Sequence, residues 1–90
     1  MPKILCQYGV HFVEITGKYR EPVKFEGTCL ADLIPFLDQR YGDFLKELID
    51  PSSGELFTRN AVLLERAQES TRAISLTSPE LRDGDVLTFF

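Results

Sequence analysis

Histidine occurs once and cysteine twice in the ninety residues, so the chain has few side chains that bind metals or attack electrophiles. Cys6 and Cys29 lack a CxxC spacing and make neither a zinc site nor a redox motif. His11 stands in no nucleophile or general-base motif. Also missing are a Gly-rich phosphate loop, a paired-carboxylate motif and any run of metal-ligand spacing. These absences argue against catalytic residues, a bound cofactor and a metal, and for a chain that binds rather than catalyses.

Long apolar runs are absent too. The N-terminal Ile4-Leu5-Cys6 stretch is far too short for a signal peptide or a membrane span. The expectation is a cytoplasmic protein whose two thiols stay reduced. Clustered positive charge is the last absence. Ten Lys and Arg residues are scattered singly against fourteen acids, for a net charge of −4. Even the densest group, Lys18, Arg20 and Lys24, is diluted by Glu21 and Glu26. Counterion release from nucleic acid needs basic clusters, so neither nucleic acid nor an anionic membrane is expected as a partner. By net charge alone, a basic protein surface fits best.

What is present is enough apolar residue for one core and one domain, residues 1–90. Lys3 to Tyr8 reads as a strand with Ile4, Cys6 and Tyr8 on one face and Leu5 and Gln7 on the other. His11 to Thr16, β-branched and aromatic, reads as a continued or restarted strand, with Gly17-Lys18 as a turn. Arg20 to Glu26 reads as a second strand with Val23 and Phe25 inward. Thr28 is the predicted cap of a helix in which Leu30, Leu33, Ile34, Leu37 and Tyr41 form one apolar stripe. Pro35 interrupts it and removes the bond to the Ala31 carbonyl, so it belongs on the outer side of a kink. Asp43 caps a short second helix bearing Phe44, Leu45, Leu48 and Ile49.

Asp50 to Gly54 is a turn, and Leu56-Phe57, Ala61 to Leu64, and Ile74 with Leu76 supply strand material around an exposed polar stretch from Glu65 to Arg72. Asp83-Gly84-Asp85 is read as a turn with exposed carboxylates. Val86 to Phe90 closes the chain as a strand. Thr88 is its one polar residue, which puts Leu87 and Phe89 inside and Val86 and Phe90 outside. Two strands, a crossing helix and a returning last strand describe an α+β fold. A mixed sheet of four to five strands packs on one main helix, and the helix is the crossover that a parallel neighbour requires.

Lys3-Ile4-Leu5, Phe25-Glu26-Gly27-Thr28 with Leu30-Ala31-Asp32-Leu33-Ile34, and Leu81 to Phe90 (LRDGDVLTFF) resemble the MoaD/ThiS family, ubiquitin-like β-grasp sulfur carriers of molybdopterin and thiazole biosynthesis. The resemblance covers nearly the whole chain and is loosest from Gly54 to Ser75. It implies a β-grasp domain whose partner is an E1-like adenylyltransferase or a larger synthase subunit. It also implies a contact through the outer sheet face and last strand: Leu5, Gln7, Val86, Thr88 and Phe90. Gln7 departs from the pattern, since an aromatic or aliphatic residue is common there. In the family a flexible tail ending in Gly-Gly follows the last strand and becomes a thiocarboxylate. The sequence stops at Phe90, where that tail would begin, so as given it is expected not to be thiocarboxylated itself; with further residues it would be an ordinary carrier. A monomer or weak homodimer is expected. The alternative is a stand-alone interaction module or accessory subunit unrelated to sulfur transfer. An enzyme using Cys6 or Cys29 has the least support.

Overall fold

Ile4, Cys6 and Tyr8 alternate inward along β1 (Lys3–Tyr8) and are almost completely buried. The same period of two places Glu21 and Val23 inward on β2 (Arg20–Lys24), with Phe25 buried just beyond it. It also places Leu87 and Phe89 inward on β5 (Val86–Phe89). The computed structural model describes residues 1–57 and 59–90. With β3 (Val62–Glu65) and β4 (Arg72–Ala73) these strands form one sheet in the order β2-β1-β5-β3-β4. The last strand therefore lies in the middle. It runs parallel to β1, with Leu5 beside Val86 and Tyr8 beside Phe89, and antiparallel to β3, with Val62 beside Phe89.

One side of the sheet is covered by α2 (Leu30–Tyr41), whose Leu30, Leu33, Ile34 and Leu37 are buried as the apolar stripe predicts. The helix runs unbroken past Pro35, which faces solvent. Its cap differs from the expected one. Cys29, not Thr28, is the N-cap, and Asp32 turns back to accept the backbone N–H groups of Thr28 at 2.9 Å and Cys29 at 3.3 Å. These two bonds, Thr28's first, hold the Asp32 carboxyl below its ordinary range. Gly27 is required here, because a Cβ on it would lie 2.3 Å from the Asp32 Cβ.

The segment from His11 to Thr16 is a helix, not a strand. α1 spans Val10–Thr16, starts at Gly9 and ends at Gly17, which takes a left-handed φ of 75° and donates its N–H to the Val13 carbonyl. Val13, Ile15 and Thr16 are β-branched and favour strands, but the preference is worth only roughly 0.5 kcal/mol per residue. Burying Phe12 and Thr16 one helical turn apart outweighs it. The short α3 (Phe44–Leu48) forms as expected after Asp43, although the Asp43 side chain makes no cap bond. Phe12 of α1 and Phe44 of α3 meet Tyr8 and Phe89 in one aromatic cluster, with ring centroids 5.6 to 6.0 Å apart. The two short helices thus pin the adjacent ends of β1 and β5.

In the loosely patterned middle, Leu56 pairs with Ile49 as an isolated bridge, and the edge strand β4 uses Arg72–Ala73 rather than Ile74 and Leu76. Among the described residues no helix is long and apolar enough to cross a membrane.

Candidate functional site

Residues opposite one another in paired strands point to the same face, so the pairing defines what the outer side of the sheet displays. One row crosses it as Pro22, Leu5, Val86 and Glu65, and the next as Arg20, Gln7, Thr88, Leu63 and Ala73. The five residues expected to meet a partner are therefore neighbours. Leu5, Gln7, Val86 and Thr88 occupy the adjacent interior strands β1 and β5, half-buried, and among the described residues no helix packs over them. Thr88 donates its hydroxyl proton to Gln7 Oε1 at 3.0 Å, which fixes both side chains and leaves the Gln7 amide N–H groups for another acceptor.

Phe90 continues the ladder. Its N–H donates to the Ala61 carbonyl at 3.0 Å, while its ring lies beside Gly9 and stays 53% exposed. Phe89, next to it, is fully buried. The strand phase read from Thr88 holds. Pro22, Leu63 and Arg20 were not expected in this surface. Pro22 and Arg20 alternate with the inward Glu21 and Val23, a signal present in the sequence, but Leu63 joins only because β3 pairs with β5.

Asp85 is placed differently from the expectation, and Glu21, to which the sequence reading assigns no side, is buried as well. Asp85 shares the inward phase of Leu87 and Phe89, so it is buried, not an exposed turn carboxylate. Arg66 clamps it with Nε at 2.8 Å and Nη2 at 2.7 Å, and the Arg82 backbone N–H adds a third bond at 2.8 Å. Burial alone would raise the carboxyl; the Arg66 and Arg82 bonds outweigh it and hold it below the ordinary range. Arg66, placed by sequence in an exposed loop, is thereby structural. Glu21 is the second buried acid. It accepts the hydroxyls of Tyr8 at 2.7 Å and Tyr41, and lies 3.3 Å from Lys18 Nζ and 3.4 Å from Arg40 Nη1. Burial raises it, and the two tyrosines and Lys18 together bring it below the ordinary range.

The candidate nucleophiles are poorly placed for chemistry. Burial, then the Glu21 charge, push the Cys6 thiol up to about 12, which keeps it protonated and inert. Cys29 is half-buried and directs its sulfur at Asp32 Oδ2, 3.5 Å away. His11 meets Glu47 of α3 at 2.7 Å on the surface. Among the described residues no three His, Cys, Asp or Glu side chains are placed to hold a metal ion. An open groove of about 490 Å³ runs along Leu56, Ile74 and Leu76, and among the described residues Glu55 is the one ionisable side chain that lines it.

No protein-family model and no curated protein matches the chain. Solved structures do. The putative molybdopterin converting factor subunit 1 of Pyrococcus furiosus superposes with a TM-score of 0.74 at 23% identity, over 100% of this chain and 97% of that one. The H. volcanii small archaeal modifier protein 1 gives 0.77 at 19% identity, over 100% and 97%. A chain of the Amycolatopsis orientalis BexX/CysO complex gives 0.69 at 16%, over 97% and 92%. The chain has the ubiquitin-like β-grasp fold. The architecture expected from the sequence is thus the one observed, and the first of these structures carries the pathway name of the family that the sequence resembles.

Proposed function

We propose that the chain is a small ubiquitin-like protein of the MoaD/ThiS sulfur-carrier type, without a catalytic site of its own. In this reading it docks through the outer sheet face on an E1-like adenylyltransferase or a larger synthase subunit. The observation that carries it is the placement of β5 between β1 and β3. That placement makes Leu5, Gln7, Val86, Thr88 and Phe90 one surface, uncovered by the helices. The half-buried aliphatic centre, the fixed Gln7–Thr88 pair and the exposed Phe90 ring have the make-up of an interface anchor with a polar rim.

Calorimetric titration of the chain with each purified enzyme from its source organism tests this. Saturable binding that Leu5→Asp abolishes, in a variant that still melts cooperatively, supports the reading. Binding that Leu5→Asp leaves intact rejects the face. Saturable binding only to enzymes outside sulfur transfer favours a stand-alone interaction module.

A further inference from the structure

The strand residues of the outer face carry the opposite charge to the chain as a whole. They include three exposed cations, Lys3, Arg20 and Lys24, and one carboxylate, Glu65, at the far side. Lys3 and Lys24 are direct register partners, and like charges in that position destabilise a strand pair. Among the described residues no carboxylate lies within 4.0 Å of the charged end of Lys3, Arg20 or Lys24, whereas Lys18, Arg40 and Arg66 are each paired. Asp83 lines the same shallow groove as Lys3, Leu5 and Pro22 and accepts the Lys3 main-chain N–H at 2.8 Å, so it is a second carboxylate beside the three cations and lowers the local excess of positive charge without cancelling it. The three free cations border the Pro22–Leu5–Val86 row and the Gln7–Thr88 pair, all on the β1–β2 side.

We propose that this face docks on an acidic surface, an apolar patch flanked by Asp or Glu carboxylates that pair with Lys3, Lys24 and Arg20. The proposal rests on the docking reading above and adds the sign of the partner. A net charge of −4 points to a basic partner, but contact is governed by groups within a screening length of roughly 10 Å at 0.1 M salt. Within that range of Leu5 the register places lysines at one end of the β1–β2 pair and an arginine at the other. The unpaired Lys3–Lys24 couple has a cost in the free protein that association with carboxylates would offset.

Stopped-flow association with the purified E1-like adenylyltransferase and synthase large subunit of the source organism tests the sign, using wild type, the double variant Arg20→Glu/Lys24→Glu, and Leu5→Asp. At low ionic strength the double variant is expected to associate about tenfold more slowly, and the wild-type rate to fall as salt rises while the variant's does not. Lys24→Glu alone should melt at the wild-type temperature or above, because an opposite-charge pair replaces a like one. An unchanged or faster rate in the double variant, or a wild-type rate that climbs with salt, overturns the proposal. If that happens while Leu5→Asp still abolishes binding, the docking face stands and only the acidic partner falls. Binding that survives Leu5→Asp, or no binding to either enzyme, removes the face and this proposal with it.

Discussion

The two faces of the sheet treat charge in opposite ways. On the inner face the acids Glu21 and Asp85 are buried, and each is surrounded by donors contributed by other parts of the chain. On the outer face Lys3, Arg20 and Lys24 stand exposed without an ion partner among the described residues. A buried carboxylate without donors costs several kcal/mol, so folding has to complete its bonds. An exposed ammonium is hydrated and needs none. Inner charges therefore report on what folding satisfies, and outer ones on what is left for association.

Phe89 and Phe90 give the sharpest way to break that contrast, because they differ only in phase. Phe89→Ala should cost about 3–5 kcal/mol of stability, since its ring touches Tyr8, Phe12 and Phe44 in the aromatic cluster. Urea unfolding at pH 7 measures it. A loss below about 1 kcal/mol there would mean that the strand is out of phase by one residue.

Next in size is the inner clamp. Arg66→Ala leaves Asp85 buried beside a backbone N–H and without its cation, at a cost of about 2–4 kcal/mol. Replacing both partners by apolar residues, Arg66→Met with Asp85→Leu, should recover much of the loss, because no charge is then stranded. Failure to recover would show that the clamp also sets the course of the chain into β5.

The outer partner of this comparison is Phe90→Ala. It should weaken docking by about 1–3 kcal/mol and change stability by less than about 0.5 kcal/mol, since the ring is half in solvent and its N–H bond to Ala61 is backbone. Titration calorimetry and thermal melts separate the two readouts. A variant that melts early and binds normally would move Phe90 to the inner set.

How far these contrasts were legible in the sequence depends on the range of the interaction. The phases of β1 and β5 and the stripe of α2 are local repeats, and Ile4-Cys6-Tyr8, Leu87-Phe89 and Leu30-Leu33-Ile34-Leu37 lie where their periods put them. The candidate face was legible for the same reason, because Leu5, Gln7, Val86 and Thr88 are simply the other phase. α1 was misread because Val13, Ile15 and Thr16 look like strand residues, while the Phe12–Thr16 spacing and the flanking Gly9 and Gly17 carried the helical signal. Asp85 was misread because its partner, Arg66, lies nineteen residues away, and a DGD turn explains itself locally. Glu21 shows a missed inference: the alternation that sends Val23 inward sends Glu21 inward too.

The smallest effect isolates Glu21. Its folded-state carboxyl titrates below its ordinary value, so its contribution is complete above the unfolded value near ~4.3 and fades as pH falls through the folded one. Glu21→Gln keeps the shape, and its amide oxygen can take the place of Oε2, which accepts both tyrosine hydroxyls; what it loses is the charge, which Lys18 and Arg40 face at Oε1 and which strengthens those two hydroxyl bonds. The cations are about half exposed, so solvent weakens their share, and the tyrosine hydroxyls carry most of the effect. The expected cost is about 1 kcal/mol at pH 7, shrinking as pH falls below the unfolded value toward the folded one. Paired urea titrations of wild type and variant at pH 7, 5 and 3.5 read the difference. A gap that stayed constant across that range would place the cost in packing, and the inner face would then hold Glu21 by shape and not by its charge.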